Sequence, residues 1–237
     1  MSVGVRTHRT RRIALGVAIA LVLLVVLAQV FLPKLAARRV RERVERYGTV
    51  QSVSVSAVPA FELLWGKADS VDVRAGALSV AATKVASLLW EAHTVGTMTF
   101  SAERSTLTGI PSLAQGITVT DLRMHKHGSA IRASATLTQQ QLTHALPSGF
   151  RIEPIASGGG EVQARASGGL FGIQASITVL VKPLEGRLVA EPQGFPLASL
   201  ATVTLFSDPH LAVRSVGVRV LRTQPLTYGL SLAATLQ

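Results

Sequence analysis

The sequence predicts an α+β protein, an N-terminal transmembrane helix followed by a mostly antiparallel, β-rich domain. Three observations carry this expectation. Residues 13–32, IALGVAIALVLLVVLAQVFL, contain no charged side chain. From residue 50 onward apolar residues recur with a period of two, the signature of strands with one buried face. Helical signals in that same span are few and short.

Taken in order, residues 1–12 form a basic tail with Arg6, Arg9, Arg11 and Arg12. The apolar run that follows would make a helix of about 30 Å, the thickness of a bilayer's hydrocarbon core. Fourteen of its twenty residues are Leu, Ile, Val or Phe. Summed on the insertion scale they favour the membrane by about 4 to 8 kcal/mol. Val26-Leu27-Ala28 also suits signal cleavage, but the run continues through Leu32, long enough to span, so an uncleaved anchor is expected. The short basic tail places it inside and the domain of residues 33–237 outside, as a single-pass protein of the cell membrane.

Residues 33–47 read as a helix, with Pro33 in its first turn and Gly48 past its end. Leu35, Val40, Val44 and Tyr47 give it an apolar stripe between arginines. Strands follow at Val53, Val55 and Ala57; at Met98, Phe100 and Ala102; and at Ile131, Ala133, Ala135 and Leu137. Val162, Ala164 and Ala166 repeat the pattern. The longest alternation is Phe171, Ile173, Ala175, Ile177, Val179 and Val181, and the last is Leu226, Tyr228, Leu230 and Leu232. Turn chemistry separates them at 127–128, 157–160, 167–169, 183–186 and 208–209. Residues 59–66, PAFELLWG, make a short helical turn, and Thr138 with Gln141 forms a capping box opening a helix over 137–146. Residues 84–90 and 199–206 suit helix or strand equally. About eight or nine one-faced strands with three or four short helices leave two outcomes. The sheet covers itself as a sandwich or barrel, or part of its face stays open to an apolar ligand.

Charge and chemistry narrow the function. The formal net charge is +11, but residues 1–46 carry ten Arg or Lys against Glu42 and Glu45, a net +8. The basicity is therefore concentrated beside the apolar run, where each cation near anionic lipid contributes about 1 kcal/mol, and nucleic acid is not the expected partner. No cysteine is present, which removes disulfides, thiolate metal sites and a cysteine nucleophile. Asp69 and Asp72 point to opposite faces of an extended segment and cannot share a proton. Gly158-Gly159-Gly160 precedes Glu161 and reads as a hairpin loop, not a phosphate cradle. His125 and His127 share a strand face, yet no third ligand lies nearby in sequence, and a solvated hairpin tip is expected there. No enzyme, metal or cofactor is expected. Trp65 and Trp90 each close a Leu-Leu pair, at Leu63-Leu64-Trp65 and Leu88-Leu89-Trp90. They suit core positions or amphipathic anchoring at a groove mouth or bilayer interface.

The order of these pieces resembles the LmeA-like phospholipid-binding family of actinobacterial envelope proteins. The likeness rests on residues 52–58, then Pro59-Ala60-Phe61-Glu62-Leu63-Leu64-Trp65-Gly66, then Val71-Asp72-Val73. It continues with the polar-capped helix of residues 136–147 and with Gly186-Arg187-Leu188-Val189-Ala190-Glu191-Pro192. Ala60 between Pro59 and Phe61, and Ala57 at the strand end, depart from the family pattern. The resemblance implies a tubular lipid-binding-like fold, a curved antiparallel sheet wrapped around one or two helices, related to bactericidal/permeability-increasing proteins. It also implies phospholipid binding without catalysis in the cell envelope. On that expectation acyl chains would meet Phe61, Leu64, Trp65, Leu89, Trp90, Phe171 and Ile173. Headgroups would meet Arg38, Arg39, Arg41 and Arg43. The competing expectation is a non-catalytic interaction module with a self-packed sheet.

Overall fold

A computed structural model describes residues 28–110, 113, 115–170, 173–194 and 202–237. The chain is helical across residues 28–45 (α1). It continues through β1 (Gly48–Ser56), a 3-10 turn (Ala60–Trp65), β2 (Ala68–Ala81), α2 (Ala82–Glu91), β3 (Val95–Thr108), β4 (Ile117–His127) and β5 (Ala130–Thr138). Then come α3 (Gln139–Ala145), β6 (Phe150–Gly158), β7 (Glu161–Leu170), β8 (Ile173–Leu184), β9 (Arg187–Gln193), β10 (Val203–Phe206), β11 (Leu211–Thr223) and β12 (Leu226–Leu236).

Among the described residues two sheets form, where one wrapped sheet was expected. The larger has the order β1-β2-β3-β4-β5-β12-β11, and the smaller β10-β9-β8-β7-β6. Every neighbouring pair is antiparallel except β2 and β3, which run parallel with α2 as the crossover. That crossover bends the sheet. A straight β2 would span about 43 Å between Ala68 and Ala81. The ten-residue helix α2 and the three residues after it reach only about 30 Å. Because Ala68 pairs with Val95, the strand must curve to let the shorter connection return. Register shifts at Gly48/Val50 and Val50/Ser52 of β1, and at Thr120/Arg123 of β4, accompany the bend. At the β4 shift Asp121 has φ +51°.

The core lies between the larger sheet and its two helices. α1 sets Ala36, Ala37, Val40 and Val44, spaced one helical turn apart, on Val55, Val71 and Val73. α2 sets Val85, Ala86 and Leu89 on Ile131, Leu211, Ala234 and Leu236. Val73 is fully buried, and burial of a valine side chain contributes about 1.5 to 2 kcal/mol. Arg43 Nη1 reaches Glu91 at 2.6 Å and links the two helices. The smaller sheet joins the larger end-on. Its hairpin turns abut β11, where Val216 N–H donates to Gly160 O at 2.8 Å and Val213 N–H to Gly186 O at 2.7 Å.

Several expectations are corrected. The transmembrane helix of residues 13–32 is not supported, because no helix among the described residues is long and apolar enough to cross a membrane. Residues 1–27, including the basic tail, lie outside the described residues. The described end of the run, 28–32, opens α1, which goes on to gather Lys34, Arg38, Arg39, Arg41, Glu42, Arg43 and Glu45. A hydrocarbon core rejects such charges. α1 therefore runs through Pro33 instead of starting at it, and ends in a turn where Tyr47 N–H donates to Val44 O. Residues 84–90 are helical, and 203–206 are strand. The turn expected at 167–169 lies inside β7.

Candidate functional site

The 3-10 turn is built to hold apolar side chains in solvent. Ala57 and Ala60 are buried at its root, while Leu64 is 68% and Trp65 69% exposed, with Phe61 and Val58 exposed beside them. Phe61 and Trp65 meet edge to face, centroids 5.8 Å apart. The backbone is pinned on both sides. Val58 N–H donates to Asp69 Oδ2 at 2.7 Å, and Thr94 Oγ1 donates to Gly66 O at 2.8 Å. Gly66 closes the turn at φ +72°, a conformation glycine adopts without a Cβ penalty.

The start of α1 lies at the same pole. Val44 packs near Ala75 and Leu78, whereas Ala36 and Ala37 pack with Val55, Val71 and Leu63 of the turn. α1 thus runs antiparallel to β1, and residues 28–35 extend about 12 Å further toward the turn. Val30, Phe31 and Leu35 are exposed there.

Trp90 also sits at this pole, between two histidines. His93 stacks on it at 5.0 Å and His210 lies 4.8 Å away at a tilt of 38°. His93 Nδ1 is 2.7 Å from Trp90 O, and Asp208 Oδ1 accepts the His210 backbone N–H at 2.8 Å. Leu89, expected beside it on lipid, is a core residue of the α2 face.

Of the four arginines expected to meet headgroups, all exposed, two have partners within the protein. Arg41 pairs with Glu45 at 2.7 Å and reaches Val50 O, and Arg43 pairs with Glu91. Arg38 and Arg39 have no ion pair among the described residues.

Of the remaining expected residues, Ile173 alone is described, in the smaller sheet. Phe171 lies outside the described residues, and Ile173 opens β8 opposite Leu170. The apolar face of this sheet is set by register. Ala166 faces Ile177, Ala164 faces Val179, Val162 faces Val181, and Val181 faces Ala190, which in turn faces Val203. Val162 and Ala164 are buried, Val179, Val181 and Ala190 half-buried, and Ile177 and Val203 exposed at 43% and 52%. The face is therefore covered at its centre and open at Ile177 and Val203.

The histidines and aspartates weighed as metal ligands or acid–base groups each keep separate neighbours. His125 and His127 sit on the outer sheet face beside Thr99 and Thr97, at 3.3 and 3.4 Å. Among the described residues no group of three or more His, Cys, Asp or Glu could hold a metal. Asp69 and Asp72 have separate partners, Val58 N–H and Arg74. One buried ionisable group escaped sequence reasoning. Lys126, fully buried between Met98 and Ile131 in the register, donates to Val95 O at 2.5 Å, and desolvation pulls its pKa below the ordinary lysine value. Alternation on β4 marks its inward direction, but nothing in sequence marks its acceptor.

Two surface concavities hold about 310 and 410 Å³. The first is lined by Glu185, Arg187, Asp208 and Gln237 among others, the second by Thr49, Gln51, Glu103 and Arg104. Neither includes a residue expected to touch lipid. No family model, no curated protein and no solved structure matches the chain.

Proposed function

We propose that this is a non-catalytic phospholipid-binding protein of the cell envelope, held at the outer surface of the membrane and of the LmeA-like kind its sequence resembles. Acyl chains lie on the apolar face of the smaller sheet, while Arg38 and Arg39, on α1 over the opposite edge of the larger sheet, meet headgroups of the membrane surface and not of the same lipid. The observation that carries this reading is the open end of that face. Ile177 and Val203 stay exposed on a sheet whose register lines up Val, Ile and Ala across four strands, β7 to β10. An acyl chain covering an exposed aliphatic side chain would contribute about 1 to 2 kcal/mol per residue, and linear chains suit a row of small aliphatic side chains.

The test is solvent extraction and mass spectrometry of the purified full chain. Phospholipid should co-purify, and Ile177→Asp should deplete it while the fold, followed by circular dichroism, is retained. Absence of lipid from the wild-type chain, with no uptake of added phospholipid, would sink the reading.

A second reading has one observation in its favour. The two concavities are open and bordered largely by polar residues, unlike an enclosed acyl-chain tunnel. A non-catalytic interaction module with a protein partner would account for this. A lipid-free chain that still recovers its partner from envelope extracts would favour it.

A further inference from the structure

The geometry points to the pole formed by the 3-10 turn and the start of α1 as a bilayer-docking face, with Leu64, Trp65 and Phe61 lying in the interfacial layer of a phospholipid membrane. This deepens the proposed function by naming the surface that meets the membrane, and rests on it only for the choice of a phospholipid.

Three independent features meet there. The first is exposure maintained by structure. Leu64 and Trp65 are about two-thirds exposed, yet the turn is fixed by the Asp69 and Thr94 hydrogen bonds and rooted on buried Ala57 and Ala60. Apolar side chains held outward in this way mark a contact surface. The second is composition. Phe61, Trp65 and Phe31 are aromatic, and the exposed cations Lys34 and Lys67 flank them, the mixture favoured where an apolar layer meets anionic headgroups. The third is the sequence that arrives at this pole. Residue 28 is preceded by IALGVAIALVLLVVL, fifteen residues without a charge. The exposed apolar turn therefore stands at the same pole as the point where an uncharged stretch of the chain joins α1.

Two other occupants would also cover the patch, the apolar run folded back on it or a second copy of the chain. The experiment separates them from a bilayer. The full chain is reconstituted into vesicles of phosphatidylcholine and phosphatidylglycerol whose acyl chains are brominated near the carbonyl. Trp90→Phe leaves Trp65 as the sole indole, and Trp65→Phe leaves Trp90. Trp65 emission should shift to the blue and be quenched by bromine, with loss of acrylamide access. Leu64→Ser combined with Phe61→Ser should reverse these changes. Two results overturn the proposal. In one, Trp65 stays unquenched and open to acrylamide in vesicles. In the other, it is already shielded in detergent-free, lipid-free protein and brominated lipid changes nothing, as a folded-back segment or a second copy requires. Lipid extraction from the same chains as purified, before reconstitution, keeps the two readings apart. Co-purifying lipid without Trp65 quenching removes the docking face alone. Trp65 quenching, together with no co-purifying lipid and no uptake of added phospholipid that depends on Ile177, removes the acyl-chain site and leaves docking in place.

Discussion

The Thr94 hydroxyl donates to the Gly66 carbonyl at 2.8 Å, joining the segment after α2 to the end of the 3-10 turn. One residue on each side of that bond leads to a ring: Gly66 follows Trp65, and Thr94 follows His93, which stacks on Trp90. The two tryptophan-bearing segments, 25 positions apart in the chain, are thereby held at one pole. Thr94→Val keeps the shape and removes the donor. Because the bond is exposed, the expected cost is near 0.5 kcal/mol, the low end for a hydrogen bond. The sharper readout is local. Hydrogen exchange at the Gly66 and Lys67 amides, which close the turn on Leu63 O and Glu62 O, should quicken while β2 and β3 keep their protection. Equal exchange in both proteins would remove Thr94 as the brace.

Lys126 makes stability depend on alkaline pH. Desolvation lowers its pKa in the folded chain below the ordinary value of 10.5. Between that lowered value and 10.5 the unfolded chain binds the extra proton, so stability rises with pH through this window and stays at its lower level once pH is below it. Lys126→Met fills the same space without the charge and should flatten the slope, with a cost at neutral pH of no more than about 1 kcal/mol. Urea titrations at several pH values above neutrality check this. A slope unchanged by the substitution would assign the dependence to other groups.

Much of the β architecture is legible in alternation. Six strands, β1, β3, β5, β7, β8 and β12, carry it openly, and turn residues mark the ends at 127–128, 157–160, 183–186 and 208–209. The failures have physical causes. Ser167-Gly168-Gly169 carries turn composition but lies within β7, where a Cβ on Gly168 would stand 2.8 Å from the Phe150 ring. That glycine serves close approach, not a turn. α2 is apolar on more than one side, so period alone could not separate it from a strand, and the parallel β2–β3 pairing went unread with it. At the candidate site, Phe61, Leu64 and Trp65 are legible as an apolar turn. Leu89 and Trp90 are neighbours in sequence with different fates, because the α2 face that buries Leu89 with Val85 and Ala86 leaves Trp90 at its margin. Contacts such as Tyr228 with Gln139, 89 positions apart, have no sequence signal.

That last contact organises the base of the smaller sheet. Thr138 and Gln141 close the capping box of α3, with Gln141 N–H donating to Thr138 Oγ1 at 3.2 Å and Thr138 N–H to Gln141 Oε1 at 2.8 Å. The cap frees Gln139 to accept from the Tyr228 hydroxyl at 2.7 Å and to donate to Ile152 O at 3.0 Å. Tyr228 is buried, and burial raises its pKa, so the phenol stays protonated and donating. Tyr228→Phe should cost about 1 kcal/mol and Thr138→Ala about the same. If both act through the position of Gln139, the double variant will cost less than the sum, as a thermal-unfolding cycle would reveal. Additive losses would separate the cap from the bridge.

Ser105 is a hydroxyl buried without a hydrogen-bond partner, aligned in the register with Leu78 and Val119. Its desolvation is uncompensated, so Ser105→Ala should raise stability by about 1 kcal/mol and leave the fold unchanged. A loss of stability on chemical denaturation would show that the hydroxyl is satisfied in solution.

The joint between the two sheets depends on glycines whose conformation and surroundings can be tested separately. Gly159 and Gly160 both have positive φ, +62° and +85°, but a Cβ on Gly159 would meet open space, while one on Gly160 would stand 3.0 Å from Ser215 Cβ. Gly186, at φ +80°, would place a Cβ 3.1 Å from Ala212 Cβ. Alanine at 159 should therefore cost only the left-handed backbone penalty, about 1 to 2 kcal/mol. At 160 or 186 the added methyl also pushes the turn away from β11, and the total should reach about 2 to 3 kcal/mol. The excess has a local signature, since Val216 N–H donates to Gly160 O and Val213 N–H to Gly186 O. Gly160→Ala should speed exchange at Val216, and Gly186→Ala at Val213, with neither affected by Gly159→Ala. If all three substitutions cost the same and leave those amides protected, β11 is not held by the hairpin turns, and the smaller sheet is secured through Gln139 and the β6 side instead.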